Sequence, residues 1–259
     1  MTKTCVRDTV VLVAGVLAIS ELAQARHDRD KYSEEFHQTY ALAADGRVSL
    51  ENINGDVRVS TSDRDEVKVD AVKWADTEDR LRDIEIKIDS RPDAIHIKTR
   101  YPEHLFHNNP GGVDYTLTVP RHARLDEVSL VNGGLEVEQA AGDVKASLVN
   151  GSVVVRSLGG RVEISTVNGR LALTVDGPKL VKPIELSSVN GEIVLNLPPD
   201  VNAQLRASTV TGGISTDFEV AVHRVVGHNL EGDLGRGGPE IHLSDVNGRI
   251  SIRRGGGTN

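Results

Sequence analysis

Several residues of this 259-residue chain are of types that do chemistry, and their spacing limits what that chemistry could be. His104-x-x-His107, followed by Asn108 and Asn109, could set two imidazoles side by side in a loop. A metal site needs further ligands in a defined geometry, and Glu103 is the only nearby carboxylate before Asp114, so the segment reads as an exposed polar loop. Gly232-Asp233-Leu234-Gly235-Arg236-Gly237-Gly238 has the glycines of a phosphate cradle. It lacks the Lys-Ser/Thr ending and the strand-to-helix setting that such loops need, and it reads as a turn. Serines recur at 129, 147, 165, 187, 208 and 244 with no regularly placed His beside them, so they read as hydroxyls bonded to nearby backbone rather than as nucleophiles.

Those serines belong to a repeat. The phrase Ser-x-Val-Asn-Gly occupies Ser129 to Gly133, Ser147 to Gly151, Ser165 to Gly169, Ser187 to Gly191 and Ser244 to Gly248, and Ser208 to Gly212 carries Thr211 in place of Asn. The first copies are 18 residues apart (132, 150, 168), with Gly142 and Gly160 at the half-period. A fixed period of about this length points to stacked coils. After each Asn-Gly, apolar residues alternate: Leu135 and Val137, Val153 and Val155, Leu171 and Leu173, Ile193 and Leu195, Ile250 and Ile252. That is the mark of a strand with one buried face. Asn-Gly also favours tight hairpins, so an antiparallel meander is the alternative. Identical phrases at a constant spacing favour the parallel coil, which places them directly above one another.

The expected fold is therefore all-β: a parallel, right-handed β-solenoid over residues 121–253, capped by an N-terminal β unit over 46–120 that contains one short helix. In the solenoid a turn ladder runs through Asn132, Gly133, Asn150, Gly151, Asn168, Gly169, Asn190, Gly191, Asn247 and Gly248. In four copies the residues one and three before Ser (Val144 and Ala146, Val162 and Ile164, Ile184 and Leu186, Ile241 and Leu243) are apolar or small and are expected to face inward. The Val two places after Ser is also apolar, so the chain is expected to bend at Ser-x to bring it in. The position after Asn-Gly runs Asp56, Gly134, Ser152, Arg170, Glu192 and Arg249, with no acidic ladder of the kind a polysaccharide-cleaving or calcium-binding coil requires. Two residues further, Val154, Ala172 and Val194 form an apolar stripe that is either covered by the opening β unit or left as a contact surface.

Ahead of the repeats, Lys3 and Arg7, the apolar run Val10 to Ile19, and Ala23-Gln24-Ala25 read as a secretory signal peptide over residues 1–25, with a permanently anchoring helix as the alternative. Its removal takes the only cysteine, Cys5, and leaves the net charge at −8. An acidic chain without a basic patch is a poor partner for nucleic acid or anionic membranes. Residues 26–45 read as a flexible arm and 254–259 as a disordered tail. Asp76-Thr77-Glu78-Asp79 supplies the cap of a short helix, and strands are expected at 84–88, 95–99 and 115–120.

Ile53-Asn54-Gly55-Asp56-Val57, Asp65-Glu66-Val67, Asp114 to Pro120, the recurring Val-Asn-Gly and Gly235-Arg236-Gly237-Gly238-Pro239-Glu240 together resemble the DUF4097 family of bacterial adhesin-like proteins, related to autotransporter-adhesin head domains. The resemblance covers nearly the whole chain after residue 25. It implies an exported β-solenoid of the periplasm, outer surface or exterior, and it supplies no catalytic or cofactor-binding residues to carry over. Its partner would be a surface, matrix or envelope component, with no transmembrane segment in the mature chain. A structural envelope protein without an external ligand and a polysaccharide-active enzyme are the alternatives.

Overall fold

The computed structural model describes residues 32–101, 111–157, 159–177, 179–226 and 228–255. The proposed signal peptide and the His104/His107 pair lie outside them. What is described is all-β with one short helix, and its strands run in mixed directions.

Each repeat contributes two strands separated by a corner at Asn-Gly. The first strands are β8 (Arg124–Asn132), β10 (Val144–Asn150), β12 (Val162–Asn168) and the leading halves of β14 (Ile184–Leu197) and β18 (Glu240–Arg254). They pair in parallel with Ser129, Ser147, Ser165, Ser187 and Ser244 in register. The second strands are β9 (Leu135–Ala140), β11 (Val153–Ser157), β13 (Leu171–Val175) and the trailing halves of β14 and β18, also parallel. The two rows share one apolar interior. Columns such as Val144, Val162, Ile184 and Ile241 from the first row, and Val153, Leu171, Ile193 and Ile250 from the second, are buried throughout. Alternation along each strand supplies these columns, because every second residue faces the interior.

The stack continues past the repeats at both ends. On one side β2 (Arg47–Asn54) and β3 (Val57–Ser62) join β8 and β9 in parallel. Beyond them lie β6 (Ala94–Arg100) on β2 and β7 (Gly111–Pro120) on β3. On the other side β15 (Ala203–Thr216) pairs with β18 and not with its sequence neighbour β14. β18 is thus inserted between β14 and β15.

A wholly parallel coil does not describe the ends. β1 (Tyr32–Ala41) and β4 (Glu66–Ala75), β4 and β7, and β5 (Glu85–Arg91) and β6 are antiparallel. So are β15 with β17 (Asn229–Leu234), and β17 with β16 (Val220–Val226). These antiparallel strands cover strand edges that a bare coil would expose. Two local expectations change with them. Residues Tyr32–Ala41, expected within a flexible arm, are a strand bonded along its length to β4. Its side chains are mostly exposed, so no apolar alternation announces it. The glycine-rich segment Gly232 to Gly238, expected as a turn, is strand β17 through Leu234 and turns only at Gly235 and Gly237, which have φ of 61° and 73°.

The short helix is α1 (Glu78–Asp83), capped by Thr77, whose hydroxyl accepts the Arg80 amide. Among the described residues no helix is long and apolar enough to cross a membrane.

Candidate functional site

The corner of each coil concentrates the repeated side chains. Alternation runs straight through Ser-x-Val: Val144, Ala146 and Leu148 point in, while Ser147 and Val149 point out. The expected bend at Ser-x is absent, and the corner falls at Asn-Gly, where Gly133, Gly151, Gly169 and Gly212 take φ between 144° and 157°. The valine of every copy therefore faces solvent. Val131, Val149, Val167, Val189 and Val246 are 38–40% exposed, and Val210 on the outermost coil is 70% exposed. With the serines beside them they form two outward columns over six coils, with rungs about 4.8 Å apart.

At the corner the asparagines form the expected ladder. Asn247 Nδ2 donates to Asn190 Oδ1 at 3.0 Å, Asn190 to Asn168 at 3.0 Å, and Asn168 to Asn150, Asn150 to Asn132 and Asn132 to Asn54 at 2.9 Å each. Asn54 ends the series on the carbonyl of Gly111 at 3.1 Å. All the bonds run in one direction. The backbone repeats the pattern: the amides of Gly55, Gly133, Gly151 and Gly169 each donate at 3.0 Å to the Asn carbonyl of the next coil. Gly must hold these corners, because a Cβ on Gly169 would run into the carbonyl oxygen of Gly151. The serine column is looser, with one bond from Ser165 to Ser147 at 3.2 Å.

The Val154, Ala172 and Val194 stripe is in register, but its members differ in exposure. Val154 is 43% exposed, Ala172 is half-buried and Val194 is only 2% exposed. The stripe is therefore not one continuous surface, and Val194 cannot contact a partner directly. The exposed apolar column of the fold is instead the valine of Ser-x-Val. Counting alternate residues forward from Val144 or Val162 would have found it; the apolar character of Val argued the other way.

A second cluster sits on the outer face of β2 and β6, where Ser49 lies opposite His96 and Glu51 opposite Lys98. Ser49 Oγ is 2.7 Å from His96 Nδ1, His96 Nε2 is 3.5 Å from Glu51, and Lys98 bonds Glu51 closely. Ser49 and His96 border a groove of about 290 Å³ that Arg47, Asp89, Arg91 and Glu127 also line. A Ser-His-acid series can activate a hydroxyl, but acyl transfer also needs donors for the oxyanion. The backbone around Ser49 is committed on both sides, to β6 and to β8. The series is read as a cross-strand polar network on a solvated sheet. Among the described residues, no group of three or more His, Cys, Asp or Glu is placed to hold a metal.

No family model matches the chain, and no curated protein does. Solved structures do resemble it. A "putative cell adhesion protein" from Clostridium sporogenes superposes over 86% of this chain and 100% of its own, with a TM-score of 0.51 at 13% identity. A "putative adhesin" from Bacteroides fragilis (TM-score 0.34, 15% identity, 85% and 97% covered) and a "putative lipid binding protein" from Parabacteroides distasonis (TM-score 0.27, 13% identity, 86% and 97% covered) are more remote. At 13% identity the Clostridium structure shares the fold with this chain.

Proposed function

We propose that the chain is an exported, non-catalytic parallel β-solenoid, right-handed and closed at its ends by antiparallel strands, that works as an adhesin-like binding protein. The resemblance to the DUF4097 family and the shared fold with a protein described as a cell adhesion protein support this reading. The observation that carries it is the exposed valine column beside the serine column. Isolated exposed apolar residues need no explanation, but a continuous row over six coils is the kind of surface that marks a contact site. The occupant in this reading is a surface, matrix or envelope component.

The test is retention of the purified chain on an array of glycans, matrix proteins and envelope fractions, beside Val167→Asp and Val154→Asp. Both valines are exposed, so both variants should fold. Saturable retention that Val167→Asp abolishes and Val154→Asp leaves intact places binding on the Ser-x-Val face. The reverse pattern returns it to the Val154 stripe. Retention nowhere removes the adhesin reading in favour of a structural envelope role.

A further inference from the structure

The residue between Ser and Val points into the coil, and its identity changes along the stack. From β2 onward the column reads Asn52, Leu130, Leu148, Thr166, Ser188, Asp245 and Thr209, the last four in register on β12, β14, β18 and β15. All of them are buried, and Asp245 is only 2% exposed. Where the column is polar at the β2 end, the fold provides partners. Asn52 donates to the carbonyls of Asn54 and Val113 at 3.0 and 2.8 Å and accepts the Tyr101 hydroxyl at 3.0 Å. At the other end it does not. Among the described residues, Thr166 Oγ1, Ser188 Oγ, Thr209 Oγ1 and both carboxylate oxygens of Asp245 are buried and meet no partner at full hydrogen-bond geometry.

A carboxylate removed from water must be paired, coordinated or neutralised, because an isolated buried charge costs many kcal/mol. Burial pushes the Asp245 pKa up and outweighs the amides of Val246 and Asn247 and the Ser188 hydroxyl, which lie near enough to favour the ionised carboxyl. Among the described residues, no Lys, Arg or His contributes to its environment. The donor set is wholly oxygen: two carboxylate atoms flanked, one rung away on either side, by the hydroxyls of Ser188 and Thr209. Oxygen-only sets suit hard cations. One carboxylate with neutral hydroxyls balances a single positive charge, whereas a divalent ion would leave an excess charge in the core.

We propose that the coil interior at Asp245 binds a monovalent cation, sodium, through the Asp245 carboxylate and the hydroxyls of Ser188 and Thr209. Thr166, one rung beyond Ser188, extends the polar column. Asp245 lies on the inserted strand, so the ion ties β18 to β14 on one side and to β15 on the other.

Thermal unfolding of the chain at neutral pH in sodium chloride, potassium chloride, calcium chloride and choline chloride, at matched ionic strength, tests this. The parent should melt higher in sodium than in choline, and its folding constant should rise by up to tenfold for each tenfold increase in sodium above saturation. Asp245→Asn, which removes the charge at constant size, should lose the sodium dependence and be more stable than the parent in choline. Thr209→Val, which keeps the charge, should need more sodium for the same effect and serves if Asp245→Asn does not fold. Equal melting in sodium and choline overturns the proposal, as does sodium dependence that survives in Asp245→Asn. A calcium-specific rise overturns the single-charge argument. Stability that falls with rising pH and is not restored by sodium makes the occupant a proton and overturns the site.

Discussion

Replacing Asn168 by Ala removes two side-chain hydrogen bonds from the middle of the asparagine ladder: the one it donates to Asn150 at 2.9 Å and the one it accepts from Asn190 at 3.0 Å. Each such bond is worth about 0.5–1.5 kcal/mol net, giving about 1–3 kcal/mol in all. Asn168 is exposed, so water can reach the abandoned partners, and the loss should fall in the lower half of that range. The backbone adds nothing, because Asn168 does not have a positive φ. Asn247→Ala removes only the bond to Asn190, so its cost should be about 0.5–1.5 kcal/mol. Asn150→Ala with Asn168→Ala breaks three bonds, since the two sites share one, whereas the single variants together break four. The double variant should therefore fall short of additivity by one bond, about 0.5–1.5 kcal/mol. Urea midpoints at a common m-value measure all of these. If Asn168→Ala costs no more than Asn247→Ala, or if the pair is additive, the ladder is a geometric consequence of stacking and contributes nothing to stability.

Three other outcomes follow from the same geometry. Gly169→Ala should cost roughly 2–6 kcal/mol, combining strain at φ 144° with a Cβ driven against the neighbouring coil, and urea unfolding would show it. His37, bonded to Asp70 at 2.7 Å and Glu35 at 3.2 Å, should titrate above 6.5 by NMR and return toward that value in Asp70→Asn. Its folded pKa is raised, so its contribution to holding β1 is present below the ordinary imidazole pKa and lost as pH rises through the raised one. Deleting residues from Glu240 onward should destabilise β15 as well as removing β18, and the far-UV circular dichroism should fall by more than one coil's share.

Much of the repeat was legible because its physics is local. Period-two alternation gave the buried columns, and the constant spacing gave the register in which Asn132, Asn150 and Asn168 meet. The Thr77 cap marked the helix. The valine column was misread because an apolar residue next to a turn phrase suggests burial, whereas alternation alone puts it outside. β1 was not visible because an edge strand exposed on most of its length carries no apolar pattern. The mixed orientation of the ends was not legible either, since the partner of an edge strand depends on which edge is left open and not on its own sequence.

Least legible was the order of the stack. Read along the chain, β2/β3 would begin the coil and β18 would end it, yet β6 and β7 lie outside β2 and β3, and β15 lies outside β18. In a simple coiled repeat each unit packs on its sequence neighbours, and stability is close to a sum of neighbouring contacts. Here β14 and β15 are consecutive strands that pair only through β18, so their rows cannot close until a segment distant in sequence has arrived. That long-range closure makes the outer coil depend on the inserted strand. The inserted strand also carries Asn247, Gly248 and Asp245. The amide ladder on the outside of the corner and the oxygen column on its inside are therefore completed by the same strand, which binds the polar chemistry of the corner to the cooperativity of the fold.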